Sequence, residues 1–311
     1  MTTNVLFLST PKRWSEYQAP LSRALEATGL DFRLGEDLPA EKVEYIVYAP
    51  GGATDHDFIQ FPRLKAVLSL WAGIETVIGN PTLTVPLARM VDHGLTQGMV
   101  EWVTGHVLRH HLGMDAHILG QNGVWTPAAP PLAQDRRVSI LGLGTLGCAC
   151  GQALAGLGFP VTGWSRSAKS VEGITCLSGD EGLTQALSTA DILVLLLPDT
   201  PATQNVLNAA TIAQMPRGAV VLNPGRGPLI DDDALLAALD SGHLGHATLD
   251  TFRTEPLPPE HPFWAHPKVT VTPHIASETR PATASEVIAE NVRRGEVGAP
   301  LLHLVNRSLG Y

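Results

Sequence analysis

One glycine-rich turn constrains what this chain can fold into more than any other stretch. Arg136-Arg137 precedes the apolar run Val138 to Leu141, then comes Gly142-x-Gly144-x-x-Gly147, and Cys148-Ala149-Cys150-Gly151-Gln152-Ala153-Leu154 follows with a helical look. A short, continuous apolar run reads as a buried parallel strand. Strand, glycine turn and helix in that order form a dinucleotide-binding fingerprint. Gly142 permits the tight turn, Gly144 lets backbone approach a pyrophosphate, and Gly147 lets the helix sit close to the strand. The backbone of Thr145 and Leu146 opens the helix, whose N-terminus offers unpaired N–H groups and the positive end of its dipole to phosphates. A second strand over 159–164 follows at the spacing of a βαβ unit.

The end of that second strand selects the dinucleotide. An NAD site places an acid about twenty residues after the glycines, to hold the ribose hydroxyls. Here the segment reads Trp164-Ser165-Arg166-Ser167-Ala168-Lys169, with Ser165 where the acid would stand. A carboxylate repels a 2′-phosphate, whereas the guanidinium of Arg166 can pair with one. The sequence therefore points to NADPH rather than NADH.

At 311 residues the length suits two domains, and a 44% hydrophobic fraction can fill two cores. The net charge of -9 argues against nucleic acid or an anionic membrane as partner. Three cysteines, Cys148, Cys150 and Cys176, are an odd and sparse set that suits a reducing compartment. Cys148 and Cys150, two apart beside the glycine turn, read as small packing residues. Met1 to Ser9 reads as a first strand rather than a signal peptide, and no apolar run is long enough for a membrane span, so the expected location is the cytoplasm.

Along the chain, strands are expected at 5–8, 31–34, 43–48 (ending in Ala49-Pro50-Gly51-Gly52) and 64–70, with a helix over about 15–28. This alternation suggests a small α/β domain of its own. A helix is expected from 98 to about 112. His106, His110 and His111 lie on it, but no thiol or carboxylate completes a ligand set, so no metal site is expected. Residues 120–134, rich in Pro, Gly and Ala, read as a linker or arm. Further strands are expected at 191–197, ending at Pro198, and at 219–223, 246–250 and 269–272. Helices are expected over 232–241, with Asp231 as N-cap, and over 282–294.

Three polar residues follow three of these strands: Arg226, Glu255 and His274. In a parallel sheet the carboxyl ends of strands share one edge, where the dinucleotide also lies. That set suits hydride transfer to a 2-oxo acid. Arg226 would hold the substrate carboxylate and polarise the carbonyl. His274 as imidazolium would donate a proton, and Glu255 would orient the imidazole and favour its charged form.

Five segments in order carry a resemblance: Gly142-Leu143-Gly144-Thr145-Leu146-Gly147, Leu195-Leu196-Leu197-Pro198-Asp199-Thr200-Pro201, Leu222-Asn223-Pro224-Gly225-Arg226-Gly227, Asp250-Thr251-Phe252-Arg253-Thr254-Glu255-Pro256, and Thr272-Pro273-His274-Ile275-Ala276-Ser277. Over these the chain resembles the D-isomer-specific 2-hydroxyacid dehydrogenase family. Trp164-Ser165-Arg166, Arg280-Pro281-Ala282 and the ending Val305-Asn306-Arg307-Ser308-Leu309-Gly310-Tyr311 are similar to its glyoxylate- and hydroxypyruvate-reducing branch. The resemblance implies Arg226 on substrate and Glu255 with His274 as the acid/base pair. It also implies Pro198 at the cofactor, Asp250 on the nicotinamide amide, and the backbone of Ala72, Gly73 and Ile74 on the substrate carboxylate. It implies α/β architecture with two Rossmann-like domains of doubly wound parallel sheets: 98–277 binding the dinucleotide, and 1–97 with 278–311 forming the substrate domain from both chain ends. A homodimer through residues 98–135 is implied as well. The missing acid at Ser165 departs from the family's common NAD pattern. Two other readings stay open: the same chemistry on a larger 2-oxo acid, and a non-catalytic dinucleotide-sensing binding protein.

Overall fold

The computed structural model describes residues 2–49 and 56–310. They divide into two compact units, residues 1–95 with 278–311, and residues 96–277.

In the first unit the chain runs β1 (Thr3–Leu8), α1 (Pro11–Ala27), β2 (Phe32–Gly35), β3 (Tyr45–Tyr48), β4 (Ala66–Ser69), α2 (Glu75–Ile78) and β5 (Leu87–Ala88). The sheet order is β2-β1-β3-β4-β5, parallel throughout. Its first helix starts earlier than the expected residue 15, because Thr10 caps it by accepting from the Arg13 N–H and Pro11 takes the first position. The closing helix, Pro281–Glu296, returns to this unit. Ala284, Ile288, Ala289 and Val292 pack in one core with Leu21 and Leu25 of α1 and Val5, Tyr45 and Leu68 of the sheet. The turn expected at Pro50-Gly51-Gly52 lies outside the described residues, as does Tyr311.

Helix α3 (His93–His111) begins five residues before the expected start, where Asp92 accepts from the N–H groups of Gly94 and Leu95. In the second unit follow α4 (Met114–Leu119), β6 (Val138–Leu141), α5 (Thr145–Gly156), β7 (Val161–Trp164), β8 (Thr175–Leu177), α6 (Gly179–Ser188), β9 (Ile192–Leu195), α7 (Ala209–Ile212), β10 (Ala219–Asn223), α8 (Asp232–Asp240), β11 (Leu244–Leu249) and β12 (Val269–Val271). Strands β5 and β8 and helices α2, α4, α6 and α7 were not individually expected. They are short or, in α6, begin at an N-cap, Ser178, whose side chain makes no capping hydrogen bond.

The seven-stranded sheet has the order β12-β11-β10-β9-β6-β7-β8. Strand order therefore reverses between β6 and β9, the place where open α/β sheets bind ligands. Both strands are buried on both faces, as parallel strands covered by helices should be. Register aligns the carboxyl ends: Leu141 pairs with Trp164 and Leu195, Asn223 with Leu249, and Leu249 with Val271. The residues that follow these positions leave the sheet along one edge.

Candidate active site

The glycine turn leaves β6 at that edge. Gly142 has φ +112°, a conformation open to glycine and strained for other residues. A Cβ on Gly142 would also strike the Leu196 carbonyl, and one on Gly147 would strike the Gly142 carbonyl. A Cβ on Gly144 would meet no atom within 4 Å. Gly144 caps α5 with no side-chain hydrogen bond, and the first turn, which begins with Thr145 and Leu146, holds no acid. Steric need at Gly142 and Gly147, with open space at Gly144, fits a pyrophosphate approached by backbone N–H groups. The turn is thus fit to hold a dinucleotide.

At the end of β7, Ser165 is buried and its hydroxyl donates to the Ser167 carbonyl (2.8 Å). Arg166 is exposed, and the Lys169 ammonium donates to the Leu143 carbonyl. Over residues 165–169, which follow β7, there are two cations and no carboxylate. After β9, the Thr203 hydroxyl lies 2.6 Å from the Pro198 carbonyl and ties down that turn. Cys150 is fully buried in the core, whereas Cys148 is half-buried, its thiol 3.4 Å from the Leu143 carbonyl.

Buried Asn223 ends β10 and clamps the next turn. Its amide nitrogen donates to the Arg226 carbonyl (2.9 Å) and its oxygen accepts from the Gly225 N–H (3.2 Å). Arg226 Nη1 donates to the Gly225 carbonyl (2.7 Å).

Asp250 follows β11 and is 1% exposed. Its Oδ1 accepts from the Thr272 hydroxyl (2.6 Å) and the Ile275 N–H (2.9 Å), and its Oδ2 from the Ala276 N–H (2.9 Å). Its carbonyl accepts from the His274 N–H (2.9 Å). One buried carboxylate therefore folds the loop after β12 around itself. This explains how His274 holds φ +53°, an uncommon angle for a side-chain-bearing residue.

His274 Nδ1 donates to Glu255 Oε2 at 2.7 Å, and Glu255 Oε1 accepts from the Phe252 N–H at 2.8 Å. The Glu255-Pro256 peptide is cis. The hydrogen bond to Glu255, then its charge and that of Asp250, hold the imidazole above its ordinary pKa, against burial and the Arg226 charge. Burial pushes the Glu255 carboxyl up, but the bonds from His274 and Phe252 and the charges of His274 and Arg226 outweigh it and leave it lowered. With Nδ1 committed to the carboxylate, Nε2 is the nitrogen that can carry a proton outward. The His274 side chain is 53% exposed.

The expected substrate loop lies in the first unit. Ala72 and Gly73 are half-buried, and Ile74 is buried at the start of α2. The Trp71 N–H donates to the Ser69 hydroxyl (3.0 Å). The three histidines of α3 do not converge on a metal. His106 faces Trp102, His110 Nε2 lies 2.9 Å from the Thr248 hydroxyl, and His111 packs on Phe159. Among the described residues no group of histidine, cysteine and carboxylate side chains could hold a metal ion. The loop-holding roles of Asp250 and Asn223 escaped the sequence; the only signal was a polar residue at the end of Ala219–Asn223, an otherwise apolar strand, and another just after Leu244–Leu249.

Residues 104–276 match the family described as D-isomer specific 2-hydroxyacid dehydrogenase, NAD binding domain. The chain is 37% identical over 318 aligned positions, covering 99% of its length and all of the relative's, to glyoxylate/hydroxypyruvate reductase A of Serratia proteamaculans (strain 568). It superimposes along the whole of both chains on a D-isomer specific 2-hydroxyacid dehydrogenase from Xanthobacter autotrophicus Py2 in complex with NADPH and MES (TM-score 0.92, 39% identity). It likewise matches, over both full chains, the NADPH-dependent glyoxylate/hydroxypyruvate reductase of Sinorhizobium meliloti in complex with NADP and sulfate (TM-score 0.88, 36% identity).

Proposed function

Because this chain belongs to the D-isomer-specific 2-hydroxyacid dehydrogenase family, we propose that it reduces small 2-oxo acids, glyoxylate and hydroxypyruvate first, to 2-hydroxy acids with NADPH. The observation that carries this reading is the 2.7 Å His274–Glu255 pair, on the same sheet edge as Arg226 and the glycine turn. Bound in the glycine turn, NADPH would supply a hydride for C2 of the substrate. His274 Nε2 gives its proton to the carbonyl oxygen, so that carbonyl, hydride and proton become the hydroxyl-bearing carbon, and solvent reprotonates the half-exposed ring. Glu255 orients the ring and stabilises the imidazolium. Arg226 holds the substrate carboxylate and draws electron density from the carbonyl.

Gly142, Gly144, Thr145, Leu146, Gly147 and Pro198 form the cofactor cradle, and Arg166 with Ser165 selects the 2′-phosphate. Among the described residues, Asp250 Oδ2 accepts a single hydrogen bond, which leaves it capacity for the nicotinamide amide. Backbone N–H groups of Ala72, Gly73 and Ile74 are assigned to the substrate carboxylate. A homodimer through residues 98–135 is supported by the exposure of Leu119 (82%) and Trp125 (92%), large apolar side chains that a partner would cover. A cytosolic location is supported by three free cysteines. No helix among the described residues is long and apolar enough to cross a membrane.

The test is initial rates with NADPH and NADH on glyoxylate, hydroxypyruvate, pyruvate and phenylpyruvate, with His274→Ala as control. NADPH-dependent turnover of the two smallest acids, abolished in the variant, is expected. Preference for phenylpyruvate would move the substrate to a larger acid. Tight cofactor binding without turnover of any acid would overturn the enzyme reading in favour of a dinucleotide sensor.

A further inference from the structure

Glu255 sits in a segment that has no secondary structure of its own to hold it. Between the end of β11 at Leu249 and the short helical turn Pro262–Trp264 there is no helix or strand. Within that segment Glu255 must stay within hydrogen-bond reach of His274: one oxygen is held by the Phe252 N–H three residues earlier, the other by His274 nineteen residues later. The fixed point is Arg253. Its Nη2 donates to the Asn205 side-chain oxygen and to the Ile230 carbonyl. Its Nε lies 3.7 Å from Asp232 Oδ2. The two hydrogen-bond acceptors lie in the loop after β9 and in the turn after β10, and Asp232 opens α8 two residues beyond Ile230.

The same segments carry the Arg226 loop. The Asn205 N–H donates to the Pro228 carbonyl (2.8 Å), and Asn205 holds φ +52° to do so. Gly227 has no room for a Cβ, because the backbone of Phe252 and Arg253 passes directly against it. The turn that presents Glu255 is therefore laid on the turn that presents Arg226, and the Arg253 side chain fastens the two. An exposed ion pair would be the plain alternative. The Asp232 contact is long, however, and the close acceptors are neutral, so the arrangement fixes position more than it pairs charge.

We propose that Arg253 is a positioning residue: it anchors the 252–255 turn to the Arg226–Gly227 turn so that Glu255 meets His274 Nδ1. This rests on the reductase reading for its kinetic consequences, but not for its structural one. The charged groups facing His274 are Glu255, Asp250 and Arg226. Those around Arg253 are Asp232 and, through Asp232, His261, Asp231 and Asp233. With Arg253 shortened, Glu255 leaves His274 for part of the time. The imidazole then loses its chief stabilising partner, and its pKa falls back toward the ordinary value.

The test compares wild type, Arg253→Met and Arg253→Lys on the full chain with NADPH and glyoxylate. Each is measured for kcat, KM and the pH profile, with His274 titrated separately by NMR. In Arg253→Met, kcat is expected to fall by about 10- to 100-fold, as for a modest misplacement of a catalytic group. KM for NADPH should change by less than about twofold, and the His274 titration should move to lower pH. Arg253→Lys, which keeps the charge and one donor nitrogen, should recover part of both losses. A lowered melting temperature with kcat and the His274 titration unchanged would overturn the proposal and leave Arg253 a purely structural residue. If wild type turned over no 2-oxo acid while the His274 titration still moved in Arg253→Met, the positioning role would stand and the reductase reading would fall.

Discussion

Asp250 and His274 are joined through the main chain: the His274 N–H donates to the Asp250 carbonyl at 2.9 Å, and the Asp250 carboxylate accepts from residues on both sides of the histidine. The ring is thus aimed by its backbone before Glu255 takes hold of it from the other side. A residue that must give up a proton in one direction benefits from being held at both ends, because each degree of freedom removed is one the reaction need not restrict later.

The first prediction concerns that second hold. Glu255→Gln keeps the size and one acceptor but removes the charge. In the native protein the His274 pKa is raised, so its acid form persists to higher pH, and reductive kcat/KM falls as pH rises through the folded pKa. In Glu255→Gln that basic limb should move to lower pH and the plateau should drop by about a hundredfold. A pH–rate profile from 5 to 9 reads both, and an unmoved limb would mean that His274 does not titrate in it.

Coenzyme choice gives the second. Arg166→Ala should weaken NADPH binding by about 10- to 100-fold, the worth of a charge-assisted hydrogen-bond pair, with NADH nearly unaffected. Ser165→Asp should move preference toward NADH by placing a carboxylate against the 2′-phosphate. Fluorescence titration with the two coenzymes decides it; equal losses for both would remove the 2′-phosphate from the explanation.

The glycines separate steric from ligand roles. Gly142→Ala combines φ +112° with a collision at the Leu196 carbonyl, and should cost at least about 2 kcal/mol of stability. Gly144→Ala meets nothing within 4 Å, so urea unfolding should be unchanged while NADPH binding weakens by about tenfold or more. The Gly144 variant would argue against the cradle if it bound NADPH as tightly as wild type.

Acid stability should be governed by the histidines behind the sheet. The rings of His110 and His246 lie 4.8 Å apart, bonded to Thr248 and Thr270. Burial, then the His246 and Arg109 charges, lower His110 to about 3. Burial, then the Arg109 charge, lowers His246 to about 4. Both are neutral when folded and take up protons on unfolding below their ordinary value near 6.5. Stability from the neutral pair is therefore complete above about pH 6.5 and is lost as pH falls below it, at up to about 1.4 kcal/mol per pH unit for each histidine. His110→Gln, which can still bond Thr248, should remove about half of this pair's share of the slope. Urea unfolding at pH 4.5 and 7.5 measures it.

The sequence by itself determined what depends on neighbours along the chain. Gly142-x-Gly144-x-x-Gly147 specifies a turn because backbone freedom is a property of each residue. The apolar runs at β6, β9 and β10 specify buried parallel strands because both faces must be covered, and Asp231 specifies a helix start because its side chain reaches only three residues ahead. Arg226, Glu255 and His274 were legible as a set only through the rule that parallel strands end on one edge. Tertiary structure alone decided the rest. The pairing of Asn223 with Leu249 and of Leu249 with Val271 brings 223–226, 250–255 and 272–276 side by side. Only then do Asp250, Asn223 and Arg253 find acceptors and donors up to 48 residues away. Hydrogen bonds between distant segments leave no periodicity and no spacing in the chain, because their partners are chosen by sheet register.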